Sequence, residues 1–247
     1  EYPDYAPSFL HGVGWITAGS GRIDLVGNVG GEAAYTRVAF GLDKRPVIAV
    51  KPLSGAGKKH SPSAWKFTNA IQSWSWDGYE GKKAEVEVYT RSEKVELYLN
   101  GKLKAAKKRG KDCRLIFKIK YEPGELTAVA YDKGAETARY SLKTAEKQTI
   151  LSLSAEKVVK KGDVAFVNIA FTDKNGTVKP LERGIVKIDV KGGELLALGN
   201  ACSYNEIGYC ENYTDTYYGR ALAVIKKTGD ECVVSASCNE KSSKISL

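Results

Sequence analysis

Three consecutive segments, Ser73-Trp-Ser-Trp-Asp-Gly-Tyr-Glu-Gly81, Ala84-Glu-Val-Glu-Val-Tyr-Thr90 and Val95-Glu-Leu-Tyr-Leu-Asn-Gly101, decide how this chain folds. In the second and third, apolar residues alternate with charged or polar ones. That period of two puts one set of side chains on a buried face and the other in water, the pattern of a half-buried β-strand. Asn100-Gly101 supplies the residue types that tolerate the positive φ of a two-residue hairpin loop. The reading is of two adjacent strands at the edge of a sandwich. Trp65, Trp74 and Trp76 are read as the buried face of a strand, serving core or interdomain packing.

The same alternation recurs on both sides. From Pro46 to about Thr144, short β runs fall at 47–50, 84–90, 95–100, 114–119, 126–131 and 137–142. Glu122-Pro-Gly124 and Asp132-Lys-Gly134 provide the turn chemistry between them. A second set occupies 151–154, 164–172, 184–190, 220–225 and 232–238, with Asn175-Gly176 as a hairpin signal and 143–147 as the linker. One helix is expected, over 31–40, with Ala34, Tyr35 and Val38 on one face and Gly41 as its terminator. The expected fold is mainly β: two tandem immunoglobulin-like β-sandwiches at 46–145 and 148–247, preceded by a short segment, 1–45, holding one helix.

Composition excludes several classes. The 247 residues are 43% hydrophobic and 27% charged, which fits packed domains and argues against a disordered or fibrous chain. No apolar run approaches the ~20 residues of a membrane-spanning helix, so no membrane partner is expected. The chain opens on Glu1 and contains no methionine, from which we expect a piece of a longer polypeptide. The net charge of +9 raises nucleic acid as a partner. The densest run, Lys102-Leu-Lys-Ala-Ala-Lys-Lys-Arg-Gly-Lys111, is instead read as a solvated hairpin tip. No recognition motif accompanies it and the aromatics lie elsewhere, so nucleic acid is set aside. The five cysteines lack C-x-x-C spacing, which argues against zinc; they are read either as buried free thiols or as including a bridge such as Cys202 to Cys210. The two histidines, His11 and His60, sit in no nucleophile–base motif.

The wording of the chain resembles the region that follows the catalytic barrel in bacterial glycoside hydrolase family 2, the β-galactosidase group. Trp15, Gly21-Arg-Ile-Asp24-Leu25, Tyr35 and Arg37 look like the last loop and final helix of that barrel, although the spacing before Arg37 departs from the family pattern. Arg45-Pro46 looks like the barrel exit. Trp74-x-Trp76, 86–90, Val95-Glu-Leu-x-Leu-Asn-Gly101, Tyr121-Glu-Pro-Gly-Glu-Leu126, Ala128-Val-Ala-Tyr131 and Leu142-x-Thr144 resemble the domain after it. Val164-Ala-Phe-Val167, Asp173-x-Asn-Gly176, Gly199-Asn200 and Tyr218-Gly-Arg-Ala-Leu-Ala223 resemble the terminal immunoglobulin-like domain. The resemblance implies that residues 1–45 are what is left of a TIM barrel and that the partner is the missing catalytic barrel of the parent chain. It also implies a parent that hydrolyses β-galactosides or related glycosides with retention, using two carboxylates ~5 Å apart at barrel strand ends. Both carboxylate motifs would lie upstream, so this segment is expected to be inactive alone, with no catalytic residue of its own.

Asn205-Glu206 and Asn239-Glu240 imitate the family's Asn-Glu pair but follow sandwich-like strands. For carbohydrate, the candidate contacts are Trp15, Tyr204, Tyr209 and Tyr213. An indole face stacks on a pyranose, and the 199–219 loop mixes tyrosines with Asn, Glu and Asp side chains suited to hydroxyls. The competing reading packs Trp15 into its loop and the tyrosines onto their own sandwich. Asp24 is read as holding the turn before the helix. Asp173-Lys-Asn-Gly176 begins like a calcium loop but lacks the twelfth-position Glu, so neither a metal nor a cofactor is expected. The alternative from another class is an independent carbohydrate-binding or adhesion-type module.

Overall fold

The computed structural model describes residues 21–55, 66–155, 160–203 and 205–247. Described residues up to Thr144 form one compact unit, and those from Ala145 onward form a second. As expected, the described residues are mainly β, built of sandwiches with one α-helix.

In the first unit, β1 (Val47–Val50), β2 (Lys83–Tyr89) and β5 (Arg114–Lys120) form an antiparallel sheet in the order β1-β2-β5. A second sheet, in the order β4-β3-β6-β7, contains β3 (Lys94–Leu99), β4 (Lys102–Lys108), β6 (Glu125–Asp132) and β7 (Ala135–Lys143). The two runs that opened the sequence reading, β2 and β3, are therefore not neighbours. β2 pairs with β5, placing Val86 opposite Phe117, while β3 pairs with β6, placing Leu97 opposite Ala128. The chain changes sheets between them. Thr90 still donates its N–H to Cys113, its hydroxyl then accepts the Ser92 N–H at 3.1 Å, and Glu93 donates its N–H to Asp132 Oδ1 at 2.8 Å, joining the end of β6. A sandwich corner separates the two strands expected to be adjacent.

The tight turns fall where their residue types predicted. Asn100 and Gly101 have φ of 52° and 74° between β3 and β4, and Lys133 and Gly134 have 51° and 82° between β6 and β7. The lysine run is different from its expected form: the loop is only Asn100-Gly101, and Lys102–Lys108 is itself a strand, β4, at the edge of its sheet. An edge strand needs no apolar outer face, and charge on it discourages pairing with another chain. Lys107 lies opposite buried Val95; its Nζ donates to the Ile116 carbonyl of β5 and lies 5.5 Å from the Phe117 ring centroid, closing the seam between the sheets. Trp74 and Trp76 are fully buried, but in irregular chain, with Ser75 between them also buried. Trp74 donates Nε1–H to the Glu122 carbonyl and packs edge-on against Tyr121, whose hydroxyl accepts the Trp76 N–H. The strand expected there is absent because these hydrogen bonds go to a neighbouring loop rather than a ladder. Trp65 lies outside the described residues.

Strand β1 and the Val86–Tyr89 half of β2 are buried on both faces of the three-stranded sheet. Val86 and Val88 point to the sandwich interior, while Glu87 and Tyr89 on the opposite face are also fully buried. Helix α1 (Gly31–Ala39) covers that outer face, packing Ala34 and Val38 with Val47, Ala49 and Tyr89. Tyr35 meets Tyr89 edge-on with ring centroids 5.8 Å apart. Gly41, at φ 74°, stops the helix and donates its N–H to Val38. At the other end Gly31 donates to the Ala70 carbonyl, and a Cβ there would stand 2.6 Å from the Tyr89 hydroxyl. Ahead of the helix, Asp24 Oδ1 accepts the N–H groups of Val26 and Asn28, holding the turn as its residue type predicted.

Beneath the helix a carboxylate is fully enclosed. Glu87 accepts hydrogen bonds from the Thr68 hydroxyl at 2.7 Å and the Tyr89 hydroxyl at 2.8 Å, with Arg114 Nη1 3.9 Å away. Its burial, together with the acidic neighbour, pushes the Tyr89 hydroxyl well above the ordinary phenol range. Glu32, from α1, accepts the backbone N–H of Phe67 and of Thr68. The two carboxylates thereby clamp segment 66–70 between helix and sheet.

The second unit is a sandwich of two four-stranded sheets. One runs β12-β10-β14-β15 and the other β11-β13-β9-β8. Their ranges are β8 (Ile150–Ser154), β9 (Val164–Thr172), β10 (Val186–Lys191), β11 (Gly193–Gly199), β12 (Tyr213–Thr214), β13 (Arg220–Lys227), β14 (Val233–Cys238) and β15 (Lys241–Ser246). Val167, Ile169, Ala223 and Ile225 from one sheet meet Val186, Ile188, Val234 and Ala236 from the other in a single core. Cys232 and Cys238 join that core, and no disulfide links any of the five cysteines. Asp173, 1% exposed, accepts the N–H groups of Asn175 and Thr177 and, on its other oxygen, of Glu146, each at 2.9 Å. Asp173-Lys-Asn-Gly176 is thus a turn, as expected. Asn239-Glu240 is the loop of the β14–β15 hairpin, with Asn239 at φ 51°.

Two outcomes follow from these carboxylates. Glu87→Ala strands two hydroxyls and Arg114, and should cost about 3 kcal/mol in urea unfolding, whereas Glu85→Ala, which loses only the half-exposed pair with Lys51, should cost less than about 1 kcal/mol. Equal losses would contradict the network. For Asp173, burial is the largest single influence and pushes its pKa up, but the three N–H donors together outweigh it and hold the carboxyl below the ordinary range. Its stabilisation is therefore present above the unfolded pKa and lost as pH falls through the lower folded value. The destabilisation by Asp173→Ala should be full at pH 7 and shrink only below about pH 4; a cost unchanged down to pH 2 would refute it.

Candidate functional site

The segment between β11 and β13, residues 200–219, is built as a structured loop. Asn200, 3% exposed, donates from Nδ2 to the Asp215 carbonyl and accepts the Cys202 N–H at Oδ1. Asp215 forms an ion pair with Arg183 and accepts the Thr216 N–H. In the middle of the loop, Tyr213 and Thr214 pair with Lys187 and Val186, adding a short edge strand to the sheet. Further on, Tyr218 and Gly219 take φ of 47° and 71°; a Cβ on Gly219 would stand 2.4 Å from the Lys179 carbonyl.

These anchors separate the tyrosines by role. Tyr209 is half-buried, its carbonyl accepts the Leu198 N–H at 2.8 Å, and its ring fills the space above Gly199, where a Cβ would lie 2.2 Å from it. Desolvation pushes its hydroxyl above the ordinary phenol range. Tyr217 and Tyr218 pack edge-on against each other at 4.6 Å. Tyr213 is exposed, and the neighbouring Glu211 and Asn212 are exposed with it. Glu206 is also exposed, in the turn that Asn205 caps by accepting the Ile207 N–H. Trp15 and Tyr204 lie outside the described residues. Tyr213, Glu211 and Asn212 are consecutive exposed positions of the loop, while Tyr209 is taken up in packing. Among the described residues no cluster of His, Cys, Asp or Glu is arranged to hold a metal.

Comparison with known proteins assigns both units. Residues 151–245 match the family model for glycoside hydrolase family 2 C-terminal domain 5, and residues 81–138 match a domain of unknown function, DUF4982. The chain is 26% identical over 164 residues to β-galactosidase BoGH2A of Bacteroides ovatus, a match that covers 63% of this chain and 19% of that protein. A glycosyl hydrolase family 2 member from Bacteroides cellulosilyticus shares 27% identity and a TM-score of 0.80 over 92% of this chain and 32% of its own. A β-glycosidase from Bacteroides vulgatus, at 22% identity and TM-score 0.75 over 94% of this chain and 28% of its own, shares the fold. The chain is thus similar to the C-terminal region of glycoside hydrolase family 2 enzymes, and it spans between about a fifth and a third of the length of these relatives.

Packing and exposure predict opposite responses in the loop. Tyr209→Ala empties the space over Gly199 and should cost about 2–4 kcal/mol in urea unfolding, whereas Tyr213→Ala should stay within about 0.5 kcal/mol. A larger loss at Tyr213 would reverse the assignment.

Proposed function

We propose that this chain is the non-catalytic C-terminal accessory region of a glycosidase whose full-length form hydrolyses β-galactosides or related glycosides by a retaining mechanism. The observation that carries this reading is the match along both units to family 2 glycosidases, one of them a β-galactosidase, of which the chain spans only the smaller part. Retaining hydrolysis needs an acid/base and a nucleophilic carboxylate across one glycosidic bond. The two Asn-Glu pairs here sit in an exposed turn and in a hairpin loop of the second sandwich. The catalytic barrel supplies that pair in this reading. The sandwiches brace the barrel, and Tyr213 with Glu211 and Asn212 presents a sugar-contacting rim.

The test is direct. The purified chain, folded by circular dichroism, should release no nitrophenol from 4-nitrophenyl β-galactoside, while the longer polypeptide that carries it should release product whose first-formed anomer is β by NMR. Turnover by the chain that Glu206→Gln abolishes would overturn the accessory role; a first-formed α anomer would overturn the retaining mechanism.

A further inference from the structure

On the first unit, the solvent face of the sheet β4-β3-β6-β7 holds a cleft of about 740 Å³ lined by Glu93, Lys94, Glu96, Lys108, Arg109 and Tyr131. That volume is in the range of small-molecule sites. The register builds it: Val95, Leu97 and Leu99 point inward, so Lys94, Glu96 and Tyr98 point outward, and Lys108, Lys94 and Tyr131 form one row across three strands.

The charges in this cleft are not balanced. Glu96 accepts Lys94 Nζ on one oxygen and the Tyr98 hydroxyl on the other, both at 2.6 Å, and these donors hold its carboxyl down to about 2. Glu96 is therefore ionised throughout the working range and committed to Lys94. Glu93 accepts the Lys133 N–H at 3.0 Å. Arg109 donates Nε–H and Nη1–H to the carbonyls of Ser92 and Gly110, both at 3.2 Å, which fix the guanidinium without neutralising it. Neither Arg109 nor Lys108 forms an ion pair among the described residues. The result is a braced aromatic wall, with Lys94 Nζ 5.3 Å from the Tyr131 centroid, in a cleft where Lys94, Lys108 and Arg109 exceed Glu93 and Glu96 by one positive charge.

We propose that this cleft binds the carboxylate or sulfate of an anionic saccharide. Arg109 offers a pre-oriented fork to the anion and Lys108 a mobile charge, while the Glu96–Lys94 pair meets ring hydroxyls and Tyr131 the sugar ring. The saccharide class rests on the glycosidase reading above; the requirement for negative charge rests on the cleft alone.

The experiment is affinity electrophoresis of the purified chain in gels containing polygalacturonate, its methyl ester, or chondroitin sulfate. Methyl esterification removes the charge and keeps the rings and linkages. Retardation by polygalacturonate or chondroitin sulfate, little by the ester, and a loss of at least about tenfold in affinity in Lys108→Ala/Arg109→Ala are expected. The exposed single variant Lys108→Gln should lose part of the effect without touching the packing. Lys187→Ala/Lys226→Ala removes the same charge from exposed positions of the second unit and should leave retardation unchanged. Equal retardation by the ester, an equal loss in the second-unit variant, or no retardation by either anionic polymer would each overturn the proposal. None of these results depends on whether galactosides are turned over.

Discussion

The first unit depends on covering the outer face of its three-stranded sheet over β1 and the end of β2. A sandwich normally leaves the outer face of each sheet to water, and strands then alternate between apolar and polar. Here β1 is buried throughout and β2 from Val86 to Tyr89, because helix α1 and segment 66–70 lie over the outer face. Covering that face enclosed Glu87, a polar side chain whose burial is costly without hydrogen-bond donors. Thr68 and Tyr89 supply them, and Glu32 holds the backbone that presents Thr68. Helix, loop and sheet are thus tied by polar contacts that no single element could satisfy.

This layering explains where the sequence misled. Glu85-Val-Glu87-Val reads as strict alternation with its glutamates in water, yet Glu87 is enclosed, because burial is decided by what lies over the strand. Local chemistry was legible where it was self-contained. Asn100-Gly101, Lys133-Gly134, Asp173 with Gly176, and the glycine-stopped helix were all visible because backbone strain and short-range hydrogen bonds determine them. The neighbour of β2 depends on contacts thirty residues downstream and has no local signature. β4 was hidden by its lysines: a strand that buries almost nothing shows no apolar period.

The loop at 200–219 was legible as composition but not as roles. Five tyrosines suggested a sugar surface, but whether a tyrosine packs or projects is set by its neighbour across the sheet. Gly199 leaves a space that Tyr209 fills, while Tyr213 stands on a short edge strand with nothing over it. The cleft on the first unit was hidden for a related reason. Its lining comes from three strands brought into one row, and in the chain its members are separated by hairpins.

The inward tilt of Lys107 bears on self-association. A free strand edge displays unpaired amides, a template onto which an unfolded neighbour can zip and start a fibril. With its ammonium bonded across the gap to the Ile116 carbonyl, Lys107 places an inward-pointing charge on the β4 border, beside which an incoming strand would have to pack. Polymerisation from this border is thereby disfavoured.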